Sequence, residues 1–539
     1  MKLYGVLLDT MSIQKYIFAT NRLKENLGAS CIVKDIYKGP LLEALKSVIG
    51  NHITEQILNE WEEKPQRMKI LQDNMPFEVG YIGGGNAFLL FKKEVEAISF
   101  IQRWTLQLLV CAPGILPASA MKEIEVDEHK AAEDPNWAVF LTELFKLLQD
   151  NKNRYIPQTI IPRHGITAEC PHTGYSAETW YEKLPKEEQK YLSSVSCAKL
   201  NSAKMAKIEM ENLLNEIEGK VYFLKKYTFP DELEKLGQHP HEDSHIAIVH
   251  IDGNDMAKRF MEAKTLKEKR ELSYSVREAT MNSVKELIKI LINEFDNIRN
   301  EFNIRTEGEQ LILPIRPIII GGDDITFVTD GRLGIYFATL FMELFEKQRV
   351  SDGKPLSACA GVAITKTKYP FYRGYELSEE LCKNAKDERK KMGSDKSWLD
   401  FHLLRGSLSG NLKELRVMYY TSSGNTLTMR PYSLEEFKNL IKASSCFLTL
   451  KNGKPEFPRS KLLKLREVLY MSEASQKAFI NELNARQLKL PEFSKDDLKF
   501  HNNILFKNKK TPYLDMIECL ELYPKYAFKK EVVSGETKN

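Results

Sequence analysis

The stretch that decides the fold is Ile318–Val328, with the sequence IIIGGDDITFV. Two apolar runs around a Gly-Gly-Asp-Asp turn predict a β-hairpin, because glycine permits the positive φ angles of a tight turn. The turn does not explain its two acids, since adjacent carboxylates repel each other and Gly-Gly or Asn-Gly would suffice. A divalent cation would explain them, and we expect one at Asp323 and Asp324; the alternative is that both acids only cap a turn.

A second acidic position ends another predicted strand. Residues Ile246–Ile251 are apolar apart from His250 and lead into Asp252, within the segment IDGND of residues 251–255. Adjacent central strands would bring Asp252 to Asp323 and Asp324, although Asp252 could also merely end a strand. Hard carboxylate oxygens suit Mg²⁺ or Mn²⁺, which commonly bind substrate phosphates as well. The three aspartates therefore predict metal-dependent phosphoryl chemistry.

The same order of elements occurs twice in the chain. Each copy reads as strand, helix, hairpin, helix and strand, and the turn Ile82–Asn86 (IGGGN) matches Ile320–Asp324 (IGGDD). The preceding strand ends, Asp9 and Asp252, lie at similar offsets from the turns (83 − 9 = 74 and 321 − 252 = 69). This indicates an internal duplication, although βα units of this length are common enough to match by chance. In the first copy a long helical pattern covers Ile13–Val48, with a break expected near Asn26–Gly28.

These patterns predict an α+β protein with four regions. They are a first domain at residues 1–134, a helical linking domain at 135–240, a second domain with the GGDD motif at 241–410, and a helical C-terminal domain at 411–539.

Composition excludes several classes of protein. The chain has 539 residues with 78 basic and 74 acidic side chains, a net charge of +4, so it is not a polycation and any nucleic-acid surface must be a local patch. Its apolar runs are much shorter than the roughly 20 residues that cross a bilayer. The N-terminus lacks a signal-peptide pattern, and we expect a cytoplasmic protein without membrane contact. The eight cysteines show no pair at metal-knuckle spacing.

The motifs together resemble a known family. The segments 251–255 and 321–324, followed by 361–364 (GVAI), 369–372 (YPFY) and Ala385-Lys386, resemble the second palm domain of the large, nucleotide-cyclising subunit of type III CRISPR effector complexes. Three further segments resemble the first palm of that family: IQKYIF at residues 13–18, RLKE at 22–25 and GAS at 28–30. A looser likeness extends to the C-terminal segment 458–466. The resemblance implies two ferredoxin-like palm domains of the nucleotide cyclase type, the first of them degenerate.

The resemblance also implies a function, namely synthesis of cyclic oligoadenylate from ATP in antiviral defence signalling. It assigns metal binding and catalysis to Asp252, Asp323 and Asp324, with Mg²⁺ or Mn²⁺ as cofactor. It gives nucleotide contacts to a further set: Gly253, Asn254, Gly321, Gly322, Lys386, Ser30 and Asn86. Ser30 and Asn86 belong to the first palm, which lacks acids at its turn and would hold the acceptor nucleotide.

The sequence departs from the family in two respects. No His-Asp dipeptide precedes the first palm, so we expect neither the HD nuclease domain that is common in this family nor DNA cleavage. Of the family's zinc ligands, Cys170, His172 and Cys197 are candidates, but a fourth is not evident. Zn²⁺ is therefore only a further candidate cofactor.

Two other functions stay open. The chain could be a noncatalytic, RNA-binding scaffold subunit of a type III-like complex, or a cyclic dinucleotide synthase that uses GTP. Guide or target RNA and other effector subunits are the partners that the resemblance implies. Base preference, ring size, the activating signal, the downstream effector and the oligomeric state do not follow from the sequence.

Overall fold

The computed structural model describes residues 1–154, 165–183, 185–218, 226–236, 245–302, 304, 306–308, 310–406, 410–451 and 454–528. The predicted border at residue 240 lies outside these residues, and the border at 410 adjoins residues that are also outside them. No described helix has the length and apolar character of a membrane span.

The N-terminal unit is built around one antiparallel sheet. Its elements are β1 (Lys2–Met11), α1 (Ile13–Ile17), α2 (Leu23–Asp35), α3 (Gly39–Ile49), α4 (Glu55–Glu63), α5 (Lys69–Gln72), β2 (Phe77–Gly83), β3 (Asn86–Phe91), α6 (Glu94–Cys111) and β4 (Leu116–Glu125). The strand order is β2-β3-β1-β4. The predicted hairpin, the helix after it and the last strand of the first copy are all present.

The middle of the chain contributes helices and short strands. They are α7 (Asn136–Arg154), β5 (Thr179–Tyr181), β6 (Lys190–Leu192), α8 (Ser194–Glu218) and β7 (Tyr227–Thr228). Although α7 lies in the predicted linking region, it packs on β4 and β1 of the first sheet.

The second unit contains the larger sheet. Its elements are β8 (His245–Gly253), α9 (Met256–Glu262), α10 (Leu266–Asn293), α11 (Phe295–Glu301), β9 (Thr306–Glu307), β10 (Gln310–Ile312), β11 (Ile315–Gly321), β12 (Asp324–Asp330), α12 (Gly334–Glu346), β13 (Ala358–Lys366), α13 (Phe371–Lys391) and β14 (Trp398–Leu403). Strands β11-β12-β8-β13-β14 lie side by side in that order.

The C-terminal region is mainly helical with short strand pairs. It contains α14 (Leu412–Tyr420), β15 (Thr421–Ser422), β16 (Asn425–Thr426), β17 (Tyr432–Ser433), α15 (Leu434–Ser445), β18 (Leu450–Lys451), β19 (Lys454–Pro455), α16 (Arg459–Val468), α17 (Glu473–Ala485), β20 (Phe493–Lys495), β21 (Leu498–Phe500) and α18 (Tyr513–Leu522). Strand β17 pairs with β14, so a segment beyond residue 410 completes the sheet of the second unit.

The predicted duplication is confirmed in strand order and register. The order β11-β12-β8-β13 repeats β2-β3-β1-β4. Each hairpin carries a register shift at the same distance before its turn, between Val79 and Tyr81 in one copy and between Pro317 and Ile319 in the other. A long helix follows the last strand of each copy and crosses the sheet face, α7 in the first unit and α13 in the second. The agreement in such details argues against chance.

The expected helix break at residues 26–28 is wrong. These residues lie inside α2, and the breaks fall instead between Ile17 and Leu23 and between Asp35 and Gly39. The reason is that Gly28 serves helix packing. A Cβ atom at Gly28 would stand 1.7 Å from the Lys199 carbonyl oxygen of α8, so the absence of a side chain lets the two helices touch.

The two units share a continuous core. Ile246 and Ile248 of β8 pack in one apolar cluster with residues of α2, and the rings of Phe18 and Tyr375 stack with centroids 3.9 Å apart. Arg270 of α10 is fully buried and donates to the carbonyl oxygens of residues 65, 67, 79 and 80 and to the carboxylate of Glu78. These bonds hold α10, and the second sheet above it, against the first sheet.

Candidate active site at the Gly-Gly-Asp-Asp turn

Strand register brings the acidic residues together. The β11–β12 turn pairs Gly321 with Asp324 and leaves Gly322 and Asp323 at its tip, with Gly322 at φ +55° as a tight hairpin requires. Across the next ladder, Asp324 lies directly opposite Asp252 at the end of β8. The carbonyl oxygen of Asp323 accepts a hydrogen bond of 3.1 Å from the Gly253 amide. Three carboxylates from two strands therefore meet at one edge of the sheet, as the sequence predicts.

Gly253 makes the approach of Asp323 possible. A Cβ atom at Gly253 would stand 2.8 Å from the Asp323 Cβ and 2.9 Å from its Oδ2. By contrast, nothing lies within 4 Å of the corresponding positions at Gly321 and Gly322. The turn is thus closely packed towards β8 and open on its outer side.

The carboxylates repel one another strongly. Burial and the negative charge of Asp252 raise the pKa of Asp323 to about 7. Burial, Asp252 and Asp323 together raise the pKa of Asp324 well above its usual value. The Asp324 Oδ1 atom is buried without a hydrogen-bond partner, and the nearest base is His250, whose Nδ1 lies 3.4 Å away. Burial lowers the pKa of His250 to about 4, so its ring supplies no positive charge at neutral pH.

One cation balances part of this charge. Lys386 of α13 forms an ion pair with Asp252 and also lies 3.4 Å from the Gly253 carbonyl oxygen. Although burial lowers the pKa of Lys386, attraction from Asp252 raises it above its usual range. One turn further along α13, Arg389 pairs with Asp255 at 2.9 Å. Helix α13 therefore supplies the positive charges beside the end of β8.

Asn254 is held by the protein itself. Its side-chain Nδ2 group donates to the Ser357 hydroxyl at 3.1 Å, and its side-chain Oδ1 atom accepts from the Cys359 thiol at 3.2 Å. These bonds fix the chain as it leaves β8. A nucleotide contact by Asn254 stays a prediction.

Helix α10 supports both hairpin turns. The Thr280 hydroxyl donates to the Gly322 carbonyl oxygen at 2.5 Å. Ser273, two helical turns earlier, lies next to Gly83, since a Cβ atom there would stand 3.1 Å from the Ser273 hydroxyl. Seven residues of α-helix span about 10 Å. The two turns of the duplicated hairpin thus lie along one helix, a short distance apart.

The first turn has a different chemistry. Asn86 takes the position of Asp324 and lies opposite Asp9, while Lys152 of α7 pairs with Asp9 as Lys386 pairs with Asp252. The Asn86 Oδ1 atom is buried without a hydrogen-bond partner. Ser30 is buried in α2, which packs against β11 of the second sheet.

The zinc candidates lie in one small cluster. Cys170 and Cys197 pack together, and the Nδ1 atom of the buried His172 ring pairs with Glu25. Hydrogen bonds from Thr173 and the Ser193 backbone and hydroxyl overcome the effect of burial and lower the pKa of Cys170 to about 7. Zinc at these residues stays a prediction.

In the described part of the chain, no three His, Cys, Asp or Glu side chains are arranged to hold a metal ion. At the aspartates the chemistry of the donors nevertheless suits a hard divalent cation, because they offer carboxylate oxygens of which one has no hydrogen-bond partner. Lys386 supplies a positive charge there through its pair with Asp252. Metal binding at these residues stays a prediction.

Comparisons with known proteins concern the domain and the fold that carry these residues. Residues 245–393 match the family model of the Cas10/Cmr2 second palm domain. The fold resembles Csm1 of T. onnurineus (13% identity, TM-score 0.51, 90% of this chain and 64% of that chain). It also resembles a Csm1-Csm4 cassette in complex with cA4 (13%, 0.50, 91% and 68%) and one in complex with one ATP (13%, 0.51, 90% and 65%). The chain spans about two thirds of the length of those chains, and no curated protein matches its sequence.

The matched segment thus corresponds to the second palm domain of the Cas10/Cmr2 family, the domain that the motifs predict. Over the rest of the chain the likeness to the Csm1 chains is one of fold.

Lys152, Thr280 and His250 are not among the predicted site residues, because they acquire their positions through contacts between distant segments. Lys152 could have been found by extending the repeat past residue 134 to the helix that follows the last strand, since α7 and α13 each carry their lysine near the C-terminal end.

The close approach at Gly253 leads to a stability prediction. Replacing Gly253 with Ala places a methyl group against Asp323, and relief requires the turn to move, so we expect a loss of about 1–3 kcal/mol in the free energy of unfolding. Gly321→Ala is the matched control, because its methyl group meets open space. Urea unfolding measures both variants. Equal stability of the two variants would contradict the packing described.

The raised pKa of Asp323 predicts a pH dependence. An aspartate in the unfolded chain titrates near pH 4, so between about pH 4 and pH 7 the folded protein retains a proton that the unfolded chain has lost. The contribution of Asp323 to stability therefore falls as the pH rises through this window. Asp323→Asn removes the titration, and its melting temperature relative to the parent should increase from about pH 5 to pH 8 in EDTA. The exposed Asp296→Asn is the control; a pH-independent difference for Asp323→Asn would be inconsistent with this charge arrangement.

Proposed function

We propose that this chain is a metal-dependent nucleotidyltransferase that joins ATP into cyclic oligoadenylate in type III-like antiviral signalling. The observation that carries the proposal is the position of Asp324 directly opposite Asp252, with Asp323 at the adjoining turn. A structural hairpin has no need of three clustered carboxylates, and burial together with the charge of Asp252 raises the pKa of both Asp323 and Asp324. The match of residues 245–393 to the Cas10/Cmr2 second palm supports the same reading.

Asp252, Asp323 and Asp324 would hold Mg²⁺ or Mn²⁺. When bound, divalent ions would stabilise negative charge at the attacked α-phosphate and on the departing pyrophosphate, and would favour loss of the ribose hydroxyl proton. The protein's own part is to hold the carboxylates in register. Gly253 and the Thr280 hydroxyl keep the turn in place for this.

Lys386 has two successive roles in this proposal. Without nucleotide its ammonium group neutralises Asp252. A triphosphate entering over the open side of the turn, where Gly321 and Gly322 leave free space, would attract Lys386 and release Asp252. Gly253 lets the turn pack against β8, and Asn254 fixes the end of β8 beneath the nucleotide.

The first unit would be a degenerate palm that holds the acceptor nucleotide. Its turn lies about 10 Å along α10 from the Asp323 turn, close enough for two nucleotides to meet. Asn86 offers a free amide oxygen in place of a carboxylate, so Asp9, paired with Lys152, has no second carboxylate opposite it with which to hold a metal ion. Ser30 is the second acceptor-site candidate, placed by α2 beside β11.

The partners follow from the relatives. Solved Csm1 structures contain Csm4 with ATP or cA4, which supports ATP as substrate and a neighbouring effector subunit as partner. Guide or target RNA would then act as the activating partner of the assembled complex, within the cytoplasm.

The direct test is nucleotide synthesis by the purified chain. We expect ATP with Mg²⁺ or Mn²⁺, and with target RNA where activation requires it, to give cyclic oligoadenylate and pyrophosphate, detected by mass spectrometry. Asp323→Asn with Asp324→Asn should reduce the rate at least about 100-fold, because the charge that stabilises the transition state is lost. The control is Asp296→Asn, which removes an exposed carboxylate elsewhere.

The same experiment separates the other functions. Undiminished synthesis by the double variant would refute the assigned site. Binding of RNA without turnover of any nucleotide would favour the noncatalytic scaffold, and a cyclic dinucleotide product from GTP would favour the third function.

A further inference from the structure

A cleft lies on another face of α13, away from the aspartates. Its volume is about 720 Å³, and it opens between α13, α14 and the C-terminal region. From α13 it takes Glu380, Lys383, Asn384 and Asp387, whereas Lys386 of the same helix turns towards Asp252. The volume lies within the range of roughly 300–1,000 Å³ that is usual for small-molecule sites.

The floor of the cleft is a fixed polar network. Asp400 accepts from Arg416 at 2.5 Å and from Asn384 at 2.7 Å. Behind them, the fully buried Arg430 donates to Asp515 at 2.9 Å. These bonds use most donors of the floor, but the Arg416 Nε–H is buried and has no acceptor. A buried donor without a partner is costly, and this one is held in place by the Arg416–Asp400 pair.

The rim carries three lysines and two acids. The Lys383, Lys413 and Lys510 ammonium groups make no hydrogen bond or ion pair within the described residues, and each stands on a different segment. Of the acids, Glu380 accepts a hydrogen bond of 2.5 Å from the Leu412 amide at the start of α14, and Asp387 is exposed beyond Lys383 on α13. Arg416 and Arg430 are already balanced by Asp400 and Asp515. The lysines thus exceed the acids by one positive charge and are the cations available to a ligand.

We propose that this cleft binds the phosphate groups of a nucleotide, at a site separate from the aspartate turn. Three lysines on separate segments can surround a phosphate group from different sides. The side chains of Asn384, Asn411 and Thr426 supply neutral polar groups for the rest of the ligand. A bound ligand would connect α13 with the C-terminal region.

Hydrogen–deuterium exchange locates binding without relying on catalysis. The full chain in EDTA is exposed in turn to inorganic tripolyphosphate, ATP and linear triadenylate. We expect slower exchange at residues 410–417 and 509–512 with at least one of these probes. The probe that binds tightest distinguishes a free triphosphate from an oligonucleotide as the source of the phosphate.

The test variant replaces Lys383, Lys413 and Lys510 with Ala. We expect the dissociation constant at this cleft to increase at least about tenfold, because hydrogen bonds to charged groups are lost. The control triple variant removes Lys146, Lys204 and Lys347, which are exposed lysines elsewhere; it should bind as the parent does. The proposal would be overturned if protection were absent, confined to residues 321–325, or equal in both triple variants. Protection produced only by long RNA would also overturn it.

Discussion

The structure depends on three carboxylates that a β-sheet register forces together. Asp252 and Asp324 face each other across adjacent strands, and the tight turn keeps Asp323 next to them. Burial and the negative charge of Asp252 raise the pKa of Asp323 to about 7, and Lys386 is the cation that pairs with Asp252. Such an arrangement is unfavourable in isolation and is retained because packing around it is extensive.

The duplicated halves show how the same scaffold can carry different chemistry. Both contain a strand-end aspartate paired with a lysine from the helix that crosses the sheet. The difference lies at the hairpin, where one half has Gly85 and Asn86 and the other has Asp323 and Asp324. One unit therefore keeps its single carboxylate neutralised, while the other has an excess of negative charge that a cation can satisfy.

Much of the site could be predicted from the sequence because its parts are local. The hairpin, the strand before Asp252 and the repeat all follow from apolar periodicity and turn residues. The rest depends on contacts between distant segments. Gly28 resembles a helix breaker in the sequence, but its missing side chain lets α2 and α8 cross in contact. Helix α10 supports both hairpin turns, which lie far apart along the chain, so the sequence does not indicate this shared support. Domain borders are equally hidden, since α7 and β17 pack with sheets on the other side of the predicted limits.

The measurement that tests the central claim most directly is Mn²⁺ binding by electron paramagnetic resonance, without nucleotide. If the excess negative charge is a cation site closed by Lys386, then Lys386→Met should bind Mn²⁺ more tightly than the parent, and adding Asp252→Asn to that variant should abolish the gain. Equal Mn²⁺ affinity in the parent, the Lys386→Met variant and the double variant would contradict the account.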